Sequence, residues 1–128
     1  MKFVLTAARA LIPVAALLAS AAAFAHPRLV SATPADKAEV PAPARIELQF
    51  SENLVKQFSG ANLVMTGMPG MADHPPMKIA VSVSGSDDSR TMIITPKSPL
   101  VPGTYRVDWR AVSSDTHPVN GSITFTAK

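Results

Sequence analysis

The chain has 128 residues, with 12 lysines and arginines against nine acidic residues, and no cysteine. Its length suits one domain with a single hydrophobic core. The lack of cysteine excludes a disulfide framework, a thiolate zinc site and a blue-copper centre, and a formal charge of only +3 does not imply a nucleic-acid partner.

Residues 1–25 read as an export signal. Lys2 and Arg9 form a positive end, an apolar run follows over 11–19, and Ala23, Phe24 and Ala25 give the small-x-small pattern of a signal-peptidase site. The run contains Pro13 and is short for a bilayer span. Cleavage after Ala25 would leave one domain, 26–128, beginning at His26, with ten basic residues against nine acidic ones and no second long apolar run. That pattern predicts an exported protein without a transmembrane segment.

Beyond the signal, apolar residues alternate and proline punctuates. Short strands are expected at 28–32 and 38–40. A clear one follows at 45–50, with Ile46, Leu48 and Phe50 on one face. A connection over 51–60 leads to a strand at 61–65. Further strands are expected at 78–83, with Ile79, Val81 and Val83 on one face, and around Met92 and Ile94, where Met92 reads as core. Tyr105, Val107, Trp109 and Ala111 mark a strand at 105–111, a polar loop spans 113–121, and Ile123, Phe125 and Ala127 close the chain. About seven short strands without a convincing helix predict an all-β, antiparallel Greek-key sandwich or barrel.

Met65, Met68, Met71, His74 and Met77 recur at intervals of three. Gly67, Pro69, Gly70, Pro75 and Pro76 lie between them, so the spacing is not that of a helix. An extended loop could set these side chains on one side. A thioether is a neutral, polarisable donor suited to copper(I), and His74 adds an imidazole. Two alternatives remain open: the methionines fold onto the core, or they form an adaptable protein-binding surface.

A second constellation uses nitrogen and oxygen. Cleavage before His26 would give one residue a primary amine and an imidazole for the same ion. Pro27 has no amide proton for copper(II) to displace, so the remaining ligands must come from elsewhere. Asp115 and His117 offer a carboxylate and an imidazole two residues apart, and Glu52 stands at another strand end. Such donors favour copper(II). Taken singly, each has a plainer reading: an accident of cleavage, a solvated turn, a solvated charge.

The segments HPRLVSATPAD, FSENL, MTGMPGMADHPPM and YRVDWRAVSSDTHPVNGSITF together resemble the periplasmic copper-resistance CopC family over the whole of 26–128. The resemblance implies a cupredoxin-like, immunoglobulin-like β-sandwich with two copper sites. Copper(II) would use His26, Asp115 and His117, with Glu52 as an added ligand in some members. Copper(I) would draw on Met65, Met68, Met71, His74 and Met77. Pro27 stands where relatives commonly have alanine. The implied role is a copper carrier, not an enzyme, with an inner-membrane copper transporter or a periplasmic multicopper oxidase as partner. The rival readings are a copper monooxygenase built on an amino-terminal histidine and a metal-independent immunoglobulin-like interaction module.

Overall fold

The structure, a computed structural model, describes residues 26–71 and 74–128; the expected export signal lies outside them. Among the described residues, nine strands form two sheets: β1 (Leu29–Thr33), β2 (Glu39–Val40), β3 (Ile46–Phe50), β4 (Gly60–Gly67), β5 (Met77–Ile79), β6 (Val81–Gly85), β7 (Thr91–Pro96), β8 (Gly103–Val112) and β9 (Pro118–Ala127). One sheet runs β1-β3-β7-β6 and the other β2-β9-β8-β4-β5. All pairings between strands are antiparallel except β2 with β9. Among the described residues, no helix is long and apolar enough to cross a membrane.

Alternation decides which face each strand buries. Ile46, Leu48 and Phe50 from β3 meet Tyr105, Val107, Trp109 and Ala111 from β8 and Ile123, Phe125 and Ala127 from β9, all buried between the sheets. Each large apolar side chain removed from water contributes about 1.5–3 kcal/mol. Two aromatic contacts give the core its shape. Tyr105 stacks on Phe125 at 5.5 Å while its hydroxyl donates to Val101 O at 2.6 Å, and Trp109 meets Phe50 edge-on at 5.1 Å. Met92 lies in this core, as its place in an alternating strand predicts.

Three expectations need correction. The run 78–83 is not one strand: β5 pairs with β4, and after Ala80 the chain crosses to the other sheet, where β6 pairs with β7. Val83 consequently sits exposed on an edge strand. The expected loop 113–121 is shorter, because Pro118 to Gly121 extend β9 against Val112 to Trp109. The connection 51–60 contains a single 3₁₀ turn, Lys56–Phe58.

Gly121 explains why a polar-looking stretch can join the sheet here. It pairs with Trp109, and a Cβ added there would lie 2.4 Å from the indole Cζ2. The bare α-carbon leaves room for the ring against β9. Gly121→Ala should therefore lower stability by about 1–3 kcal/mol through overpacking, read as a lower urea midpoint with an unchanged m value. An unaltered midpoint would contradict this role for the glycine.

Candidate metal centre

The β8–β9 hairpin turns through 113–117, and its geometry comes from Asp115. Thr116 N donates to Ser113 O at 2.9 Å, closing the turn, and Thr116 takes a positive φ of 65°. Asp115 Oδ1 accepts from the His117 backbone N–H at 3.0 Å and from the Ser113 hydroxyl at 3.2 Å. This short-range side-chain capping is the usual habit of aspartate in turns. It leaves Oδ2 buried and directed at His26.

His26 is brought there by its neighbours. Pro27 is fully buried, and Arg28 is tied to Ser51 by two bonds: its N–H donates to the Ser51 hydroxyl, and its carbonyl accepts from Ser51 N, both at 2.9 Å. The segment entering β1 is thus pinned against the end of β3. His26 Nδ1 lies 2.8 Å from Asp115 Oδ2, and the His26 and His117 rings are 5.9 Å apart.

One ligand atom from each of His26, Asp115 and His117 lies within 4.8 Å of the other two. With bonds of about 2 Å, neighbouring donors around a tetragonal ion stand about 2.8 Å apart, so the His26–Asp115 spacing already suits two adjacent positions. Glu52, half-buried after β3, is not part of this cluster. The Asp115 side chain is only 6% exposed. Its carboxyl titrates below its ordinary value, chiefly because the His117 N–H donates to it; the Ser113 hydroxyl and the nearby histidines add to this, and burial opposes it.

The methionine segment is organised differently from the extended loop expected. β4 ends at Gly67, and Met68-Pro69-Gly70-Met71 doubles the chain back, with Met68 N to Met71 O at 2.9 Å and Met71 N to Met68 O at 2.8 Å. Proline followed by glycine at φ 84° is the type II turn signature. His74 N then donates to Thr66 O at 3.1 Å, and Met77 pairs with Met65 as β5 begins.

Burial separates Met65 from the others. Its side chain is in the core, with its terminal methyl so near Gly103 that a Cβ there would lie 2.8 Å away. Met68, Met71 and Met77 are exposed. His74 Nδ1 lies 2.8 Å from Pro75 O, and a carbonyl can only accept, so in the neutral ring Nδ1 carries the hydrogen. The lone pair is therefore on Nε2, which is buried with no hydrogen-bond partner among the described residues. Sequence reasoning missed the three groups that set these orientations, Ser51, Ser113 and Pro75. Only Ser113, two residues before an aspartate, carries a recognisable turn signal.

The two groups sit at opposite ends of the sandwich. Gly67 is paired beside Thr104 at the start of β8, while 113–117 follows Val112 at its end. Thr104 and Val112 are about 26 Å apart along a strand rising about 3.3 Å per residue.

Because Asp115 titrates low in the folded state, the stability it contributes is fully present above the usual carboxylate range and disappears as pH falls through its lowered value. The difference in thermal midpoint between the wild type and Asp115→Asn should follow that course across an acid series. A difference independent of pH would show that the charge is immaterial.

The CopC domain family matches residues 29–128. The chain is 66% identical over 114 residues to copper resistance protein C of Pseudomonas syringae pv. tomato, covering 89% of this chain and 90% of that protein. The crystal structure of selenomethionine PcoC, a copper resistance protein from Escherichia coli, matches with a TM-score of 0.76 at 55% identity, over 79% of this chain and 99% of that one. CopC from Methylosinus trichosporium OB3b matches with a TM-score of 0.67 at 28% identity, over 80% and 94% of the two chains. A domain match across nearly all the described residues, together with the shared sandwich, places this chain in the CopC family.

Proposed function

We propose that the protein is a periplasmic copper carrier of copper resistance and homeostasis, holding copper(II) at one end of the sandwich and copper(I) at the other. The observation that carries this reading is the convergence of His26, Asp115 and His117 from two distant parts of the chain onto one small volume. Relatives named as copper resistance protein C support copper as the cargo and carriage, not oxygen chemistry, as the task.

For copper(II), the donors are the His26 imidazole, the His117 imidazole and the Asp115 carboxylate, with the His26 amine joining once residues 1–25 are removed. Amine and imidazole must both be deprotonated to bind, so affinity falls on acidification. His26 Nδ1 and Asp115 Oδ2, 2.8 Å apart, would then both face the cation. For copper(I), the donors are Met68, Met71 and Met77 with His74 Nε2. Met65 is left out because its thioether belongs to the core. Soft sulfur favours the cuprous ion, and nitrogen with oxygen favours the cupric ion. Delivery would be to an inner-membrane copper transporter or a periplasmic multicopper oxidase.

Titration of Met68→Leu/Met71→Leu/Met77→Leu should show tight copper(I) binding lost and copper(II) binding kept. Loss of both together would argue against two separate sites. Placing one alanine ahead of His26 in the processed protein should weaken copper(II) by at least about tenfold, because the amine leaves the chelate. An unchanged affinity would show that the terminus is not a ligand.

A further inference from the structure

Five methionines fall among the described residues, and burial divides them sharply. Met65 in β4 and Met92 in β7 are 2% and 3% exposed, whereas Met68, Met71 and Met77 are 38%, 52% and 51% exposed. The three exposed methionines all belong to the β4–β5 hairpin, where Met68 and Met71 exchange backbone bonds and His74 N donates to Thr66 O.

A thioether and a peroxide react by oxygen transfer. A sulfur lone pair attacks the O–O bond, the oxygen becomes a sulfoxide S=O, and the peroxide leaves as water. Sulfur is oxidised by two electrons and peroxide is reduced by two. The lone pair consumed is one that a soft cation would share, and the product is a polar group whose oxygen is a hard donor. Exposure therefore makes the hairpin both accessible to a cation and open to this reaction.

We infer that Met68, Met71 and Met77 are a peroxide-sensitive modification site, and that their oxidation switches off soft-metal binding while the sandwich stays folded. The inference rests on the copper(I) reading given above. Met65 and Met92 are shielded by the core, so the packing that holds the two sheets together is spared. Met68, Met71 and Met77 each keep more than a third of their surface in water, so an added oxygen can face solvent. Reversal requires two electrons and two protons and yields water, and since the chain contains no cysteine, an external two-electron reductant such as a methionine sulfoxide reductase must supply the electrons. A bound monovalent cation occupies the sulfur lone pairs and slows the reaction.

The test uses the metal-free processed protein, hydrogen peroxide and silver(I), a soft monovalent cation that undergoes no redox cycling with peroxide. Peptide mass mapping should find oxygen on Met68, Met71 and Met77 at least about tenfold sooner than on Met65 and Met92. The oxidised protein should keep its circular dichroism and its copper(II) affinity, lose silver(I) affinity by at least about tenfold, and recover it with a methionine sulfoxide reductase. Silver(I) bound beforehand should slow the oxidation. Equal oxidation of all five methionines, or an oxidised protein that holds silver(I) as tightly as before, would overturn the inference and leave the copper(I) reading standing. If untreated protein fails to hold silver(I) or copper(I), both fall together.

Discussion

Strand β8 is the constraint from which the rest of the molecule takes its position. It lies between β9 and β4, buries Tyr105, Val107, Trp109 and Ala111 on one face, and is flanked at each end by a different donor group. At its start, Gly103 faces Gly67 so closely that an added Cβ would lie 2.7 Å from the Gly67 carbonyl oxygen. That approach fixes the root of the methionine hairpin. At its end, Val112 is held from outside the ladder by Ser59, whose hydroxyl accepts from Val112 N at 3.0 Å. The following turn thus leaves from a settled position, and Asp115 inherits it.

Much of this was legible in the sequence, for a definite reason. Strands such as 45–50 and 105–111 have one wet face and one dry face, and hydropathy records that difference residue by residue. The break at Ala80 was hidden because alternation continues across it: a chain can change sheets without changing its period. The first half of β9 was hidden too. Asn120 and Gly121 look like loop residues, and only the indole of Trp109 lying opposite shows why glycine is needed there.

The site residues show a similar division. Asp115 and His117 stand out by proximity in sequence, since a turn of that length cannot separate them far. His26 stands out only through the expected cleavage. Its meeting with Asp115 depends on Pro27 and Ser51, which no local pattern announces. For the methionines, spacing misled in part. Intervals of three say nothing about a turn at Pro69 and Gly70, and once the chain doubles back, Met65 belongs to a paired strand with its side chain inward.

The two ends share a device despite their different donors. In each, an oxygen acceptor faces one histidine nitrogen, Asp115 for His26 and Pro75 O for His74. At His74 the carbonyl only sets the ring's direction, whereas Asp115 is also a proposed ligand, so its contact both orients the His26 ring and brings a second donor beside it.

On the two-site reading proposed above, the distance along β8 also bears on kinetics. An ion cannot be shared by two donor groups at opposite ends of the sandwich, so passage from one to the other within a single molecule would require its full release to water. Handover without release must be an encounter between two molecules, the sulfur end of one against the nitrogen end of another. Its rate would grow with the square of protein concentration, which makes local crowding of the carrier a control on how fast its cargo changes hands.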